Sequence, residues 1–526
     1  MTKYLLKRIL RSMFSIVVVV GIVMILIYSS LDKTLIFAND SNYTKVNGNT
    51  RTAYMQKQWE QYGYLDYVPY ADWLKIQLNN EEISKEDYAV AVKFGDKAEK
   101  DDPLAAEWIA KFTAEMEADG YKIERLEASY KPKTVKYKDG GEPYLYATKD
   151  IPVLERLWNY FSGLITVDNV NYVEEEIEDR GLTFTLYDPA YGGEKFAPAI
   201  IGNGTYYKYL FYTNNEFPYI HQNLVRLNLG LSYSVNRGVD VWDTLTESQG
   251  SYLTSTITYP TGLTEESADN LHSARYAAGS KAAGTAVTAA RFDDDYTIVS
   301  TNKSGKSRIG YSFTCGICAV ALVYLLAVPM GTLMALRKDK LLDQLGTMYI
   351  MFITAVPSLA YIFLFRAIGS SLFKLPTTFD MENPTWLMYV LPIISLALPS
   401  IANTMKWLRR YMIDQMNSDY VKFARSGGLS EGEIFSKHIL KNAIIPITHG
   451  IPASILGALT GAIITERVYV VPGAGNMLTR AIAAYDNGVI VGMVLFYAVL
   501  TVTSVILGDI LMSIIDPRIS FTEKAR

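Results

Sequence analysis

Cysteine is nearly absent from this sequence of 526 residues: only Cys315 and Cys318 occur, both inside one apolar run. No disulfide can therefore staple the long polar region that precedes them. Their C-x-x-C spacing is that of redox and zinc sites, but no second Cys/His pair accompanies it. Two small polarizable residues on an apolar helix is the simpler reading. Histidine is also scarce, and His221, His272, His438 and His449 lie scattered without metal-ligand spacing. Charge of one sign is lacking too: 50 Lys+Arg against 54 Asp+Glu leave a formal charge of -4, which excludes the basic footprint of a nucleic-acid binder. A complete phosphate-binding loop is missing. Gly305-Lys306-Ser307 imitates the end of one, but Ser300 stands where a second glycine is required and no buried strand precedes it. ATP chemistry, if any serves this chain, must come from other chains.

What is present is apolar and unevenly distributed. Mean hydropathy is only +0.09, as expected when membrane spans are diluted by one large polar region. Lys3, Lys7, Arg8 and Arg11 precede an apolar run from Met13 to Leu31. The run is long enough to cross about 30 Å of hydrocarbon and shows no small-x-small cleavage site, so it predicts an uncleaved first span over residues 13–31. From Asp32 to Arg308 no run of membrane length occurs. This stretch is Tyr-rich, charged and punctuated by Gly, Pro and Asn, which predicts a folded α+β domain. Asp102 as N-cap and Pro103 in the first turn start a helix with Leu104, Trp108, Phe112 and Met116 on one face, and Asp119-Gly120 closes it. A second amphipathic stretch runs from Val153 to Ile165, and Leu182–Tyr187 and Thr205–Tyr212 alternate as strands do.

Five further spans are expected within residues 309–515, near Phe313–Leu336, Leu345–Phe365, Leu387–Ile401, Ile444–Ile464 and Val489–Ile510. Lys and Arg sort them. One set of loops holds Lys3, Lys7, Arg8, Arg11, Arg337, Lys338, Lys340, Lys406, Arg409, Arg410, Lys422, Arg425, Lys437, Lys441, Arg518, Lys524 and Arg526. The opposite set holds little beyond Arg366, Lys374, Arg467 and Arg480. The positive-inside rule then predicts six spans with residues 1–12 and 516–526 cytoplasmic, and residues 32–308 extracellular.

The loop between the fourth and fifth of these spans, residues 419–446, carries the most specific pattern. Gly427-Gly428 allows a sharp turn. Ser430, followed three residues later by Glu433, forms a capping box that starts a second short helix. Tyr420, Phe423 and Ala424 are expected on an apolar side before the turn, and Ile434, Phe435 and Leu440 after it. Such a knob can be held in a groove of another protein and pushed.

This loop resembles the EAA coupling motif of ABC importer permeases, in the form used by peptide and nickel importers. The resemblance is carried by Asp419, Tyr420, Val421, Ala424, Arg425, Gly428, Leu429, Ser430, His438, Leu440, Lys441, Asn442 and Ala443. Lys422-Phe423 departs from the general Glu-Ala pair. Ala327-Val328-Pro329-Met330-Gly331, then Glu466-x-Val468-Tyr469-x-x-Pro472-Gly473-x-Gly475, and finally Asp516-Pro517-Arg518 resemble other family segments, as does Leu229-Gly230-Leu231-Ser232. The nearest likeness is to B-type oligopeptide permease subunits of Gram-positive bacteria, of the streptococcal Ami type. It implies a type I ABC importer fold of six transmembrane helices, with a large α+β extracellular domain inserted between helices 1 and 2. It also implies a second homologous permease, two P-loop ATPase subunits that bind ATP and Mg, and a lipid-anchored extracellular peptide-binding protein, all acting at the bilayer. This chain itself would hold no cofactor. Tyr420, Ala424, Arg425, Gly428, Leu429, Ser430, Glu433, His438, Leu440 and Asn442 would couple to the ATPases, acting mechanically and not in catalysis. Asp509, near the end of the last span, and Glu466 are expected at a pathway or gate, since a carboxylate inside a span needs a partner or water. Dipeptide or nickel import, and a membrane receptor with a ligand-binding ectodomain, are the competing readings. The receptor leaves the coupling loop unexplained.

Overall fold

The computed structural model describes residues 2–92, 102–126, 145–167, 179–189, 192–205, 208–213, 218–220, 225–250, 254–258, 264–268, 273–276, 297–300, 305–381 and 385–515. Asp516-Pro517-Arg518, the tail that follows it, His221 and His272 lie outside the described residues.

Eleven helices frame the site and are labelled in chain order. The first apolar run folds as α1 (Thr2–Ser30). The amphipathic stretch that was expected to reach Ile165 folds as α2 (Val153–Gly163). The remaining labelled helices are α3 (Arg308–Leu336), α4 (Leu341–Ala355), α5 (Ser358–Phe373), α6 (Val390–Met416), α7 (Asp419–Ser426), α8 (Ile451–Thr460), α9 (Ile463–Tyr469), α10 (Ala474–Ala483) and α11 (Asn487–Ile515). Among the described residues, 5 helices are long and apolar enough to cross a membrane, or up to 6 if a bent pair counts as one span. The bent pair is α4 and α5, where the sequence predicts one continuous run. The axes turn by 111°. Pro357 stands at the break, where it removes a backbone donor and biases Val356 to the extended conformation that it adopts. Ser307 caps α3 by accepting from the Gly310 amide at 3.0 Å, so the Gly305-Lys306-Ser307 stretch is a helix start. Cys315 is buried on α3 and Cys318 is exposed, both as free thiols.

α3 packs along α6 and α8, and α11 packs on α1 and α8. Small side chains line these seams, with Ala319, Ala327 and Ala397 fully or almost fully buried beside Val323, Ile401 and Met405. That is how helices approach closely where lipid tails offer no hydrophobic drive for association.

The polar region mixes helices with antiparallel sheets. Its best-defined part is a three-stranded sheet in which Leu145–Asp150 lies between Leu65–Pro69 and Lys122–Arg125. Side chains alternate across it. Leu145 and Ala147 face a core with Tyr70, Trp73, Leu74, Trp108, Phe112 and Met116. Tyr146, Leu65 and Tyr67 face a second core with Phe37, Trp59 and Tyr233. The helix expected from Asp102 and Pro103 spans Pro103–Ala118, with Asp102 accepting from the Leu104 amide. A four-stranded meander follows, Gly181–Thr185, Ala199–Asn203, Tyr209–Thr213 and Pro218–Ile220. The strand expected from Thr205 thus begins only at Tyr209.

Candidate functional site

The loop after α6 folds into a helical knob. α7 ends in a Schellman turn: the Leu429 amide donates to Ala424 O at 3.3 Å and the Gly428 amide to Arg425 O at 3.2 Å. Gly428 supplies the positive φ of 80° that this closure requires. Ser430 then accepts from the Glu433 amide, while the Glu433 carboxylate accepts from Ser430 N at 3.3 Å and from its hydroxyl at 2.9 Å. The turn is clasped by Arg425, which donates from two nitrogens to Glu431 at 2.6 and 3.0 Å. From Ile434 to Leu440 the chain winds as a wide π-helical turn. His438 sits there beside Tyr420, whose hydroxyl donates to Gln415 Oε1 at 2.6 Å. Asn442 follows on the same helical run.

The two faces of α7 differ from the sequence expectation. Val421 and Ala424, three residues apart, are the buried pair, and they pack with Ile434, Ile439 and Ala443 onto Ala335, Leu408 and Met412. Tyr420 and Phe423 point away, and Phe423 is 81% exposed. The helix is too short to bury two faces, and the smaller side chains allow the close approach to α6. The knob is therefore seated on the ends of α3 and α6 and offers an aromatic side chain outward. An ion pair that the sequence reading missed ties α6 to α4. Arg409 on α6 donates to both oxygens of Asp343 on α4 at 2.5 and 2.6 Å, and Asp343 also accepts from the Asp339 amide.

Glu466 and Asp509 stand apart from the knob. Glu466 is buried on α9 and accepts from the Ser312 hydroxyl at 2.7 Å, the Asn476 amide at 3.0 Å and the Ala462 amide at 3.2 Å. Ser312 in turn accepts from the Ala474 amide, so one carboxylate joins α3, α9 and α10. It also lines a cavity of about 390 Å³ with Tyr324, Ser400, Asn403, Thr404 and Ser454. Asp509 on α11 pairs with Arg8 on α1.

A second constellation unforeseen from sequence lies at the other end of α11. Asp486 is fully buried and accepts from Ser232 Oγ at 3.0 Å, Tyr233 N at 3.1 Å, Ser234 N at 2.8 Å, Ser234 Oγ at 2.7 Å and Val489 N at 3.2 Å. The Tyr233 hydroxyl donates to Tyr485 O and accepts from Asn487 N, and Asn487 donates to the Tyr64 hydroxyl at 2.7 Å. Three segments far apart in sequence meet here. Gly488 and Gly492 lie so close to the Leu231 and Leu229 carbonyls that a Cβ on either would collide. Among the described residues, no group of three or more His, Cys, Asp or Glu could hold a metal ion.

Comparison with known proteins gives this geometry a context. Residues 327–521 match the family model described as binding-protein-dependent transport system inner membrane component. Over 530 aligned residues the chain is 37% identical to the oligopeptide transport system permease protein AmiC of Streptococcus pneumoniae, covering 100% of this chain and 99% of that one. It is 32% identical to the dipeptide transport system permease protein DppB of Lactococcus lactis over 40% of this chain and 69% of the relative. The oligopeptide transport system permease protein OppB of Haemophilus influenzae matches at 26% identity over 43% of this chain and 74% of its own length.

Proposed function

Because this chain belongs to the oligopeptide-permease branch of the binding-protein-dependent transport family, we propose that it forms half of an oligopeptide path through the membrane and takes its drive through the 419–446 knob. It is a membrane-embedded permease subunit of an ABC importer and not itself an enzyme. In this reading the 6-span arrangement, with α4 and α5 counted as one bent span, places both termini and the knob in the cytoplasm. The polar region between α1 and α3 then lies outside the cell. A second homologous permease completes the path, and two P-loop ATPases bind ATP and Mg. A lipid-anchored peptide-binding protein delivers substrate to the polar region, whose exposed Leu182, Phe184 and Phe196 support a docking role.

The observation that carries the coupling role is the knob's division of labour. Val421 and Ala424 fix it to α3 and α6, while Phe423 projects from it uncovered. In this reading Tyr420, Arg425, Leu429, Ser430, Glu433, His438, Leu440 and Asn442 contribute to the same coupling contact. The gate role of Glu466 is supported by its lining the cavity and tying α9 to its neighbours. Asp509, held by Arg8, secures the first span to the last.

The test is Gly428→Pro in the assembled transporter. Proline cannot adopt the positive φ and lacks the amide that closes the turn. The complex should still purify with its ATPases and hydrolyse ATP, while peptide uptake falls at least tenfold. Unchanged uptake would remove the coupling role. Dipeptide import is separated from oligopeptide import by comparing uptake of dipeptides and longer peptides in the same vesicles.

A further inference from the structure

Helix α2 belongs to the polar region by sequence but lies against the first span. Leu157, Tyr160 and Phe161 pack into the core that holds Val20 and Met24 of α1. The Leu157 side chain comes within 3.8 Å of where a Cβ on Gly21 would stand. Between Gly21 and Ser30 the α1 axis rises about 13 Å at 1.5 Å per residue, so this contact is well below the end of the span. Arg156 pins the start of α2. Its guanidinium stacks over Tyr28 at 5.2 Å and Tyr64 at 4.7 Å, and donates to Ile151 O and Tyr64 O.

Two further stripes run along α2 beside the packed one. Leu154 and Trp158, one turn apart, are 75% and 73% exposed, and Ile165, at the start of the strand that follows the helix, is exposed as well. Glu155, Asn159 and Ser162 form an exposed polar stripe next to it. On α1 itself Ile22, Ile25 and Leu26, next in sequence to the Gly21 contact, are also exposed. A helix with one face on a span, one apolar face open beside that span's lipid-facing surface, and one polar face fits a single solvent: the boundary between headgroups and acyl chains.

We propose that α2 is an interfacial helix, lying in the membrane surface with Leu154, Trp158 and Ile165 set into the acyl chains of the leaflet on the Asp486 side. Its partner is the lipid bilayer. It holds the polar region down against the membrane, independently of the Asp486 contacts. This rests on the reading of α1 as a membrane span, and the test separates the two.

The experiment uses the assembled transporter in nanodiscs of lipids brominated at a shallow or a deep acyl position. Tryptophan emission is compared between the parent, Trp158→Phe and Trp386→Phe, Trp386 opening the apolar run Trp386–Met416 that continues as α6; both side chains are largely exposed, so neither change removes much packing. The Trp158 share, obtained by difference, should fall at least twofold with shallow bromines and less with deep ones. An unquenched Trp158 share beside a quenched Trp386 share would overturn the interfacial helix and leave the spans standing. If neither share is quenched, the membrane reading itself fails. Quenching of Trp158 in the isolated chain that disappears on assembly would make the stripe a subunit interface, and loss only on adding the binding protein would make it a docking site. Either result overturns the proposal.

Discussion

At the residue scale, local hydrogen bonds decide how stiff the coupling knob is. Ser430→Ala removes the cap oxygen and should cost about 1 kcal/mol of local stability. Peptide taken up per ATP hydrolysed is expected to drop severalfold, while the ATPases stay bound. Asp240 offers a pH-dependent case in the polar region. Its carboxylate caps the short helix Val241–Thr246 by accepting from the Trp242 amide at 2.7 Å. Burial pushes its pKa up to about 6, against the lowering effect of that hydrogen bond. The folded chain thus holds this proton at pH values where the unfolded chain has lost it, and stability falls as pH rises from about 4 to about 6. Asp240→Asn keeps a cap oxygen and removes the charge. Its melting temperature should match the parent at pH 4 and exceed it at pH 7, as differential scanning would show.

At the element scale, α7 separates anchoring from contact. Val421→Ala opens a void between α7 and α6 and should destabilise the knob by about 1–2 kcal/mol. Phe423 is largely exposed, so Phe423→Ala should leave the melting temperature nearly unmoved. If an ATPase groove covers Phe423, the lost burial of about 1.5–3 kcal/mol weakens ATPase association roughly tenfold or more, measurable by titrating the purified subunit. The reverse pattern would put the contact on the other face of α7.

At the scale of the whole molecule, the polar region is joined to the membrane helices by a buried carboxylate. Asp486→Ala would leave the buried Ser232 hydroxyl and Tyr233 amide without this acceptor, each at about 1–3 kcal/mol. Hydrogen exchange should then speed up at least tenfold over residues 229–246, while the 419–446 knob keeps its protection. Unaltered exchange at both sites would show that the aromatic and glycine contacts suffice. The long apolar helices, the Asp102-capped helix and the Gly428–Ser430 turn were legible from sequence, because hydropathy, caps and positive-φ turns are local properties of a few consecutive residues; the run Ile444–Ile464, expected as one span, is divided between Ile445–His449, α8 and α9. The bend at Pro357 was partly legible, but its 111° angle depends on how α4 and α5 pack. Which face of α7 is buried was not legible, since Tyr420, Val421, Phe423 and Ala424 are all apolar enough to compete and the surface of α6 decides. The pairings of Asp343 with Arg409, Asp509 with Arg8 and Asp486 with Ser232–Ser234 were invisible for the same reason. By itself the sequence determined where the long apolar helices lie and where the chain turns; only the tertiary structure decided which charged and polar groups meet, because desolvation can be offset only by partners brought close from distant parts of the chain.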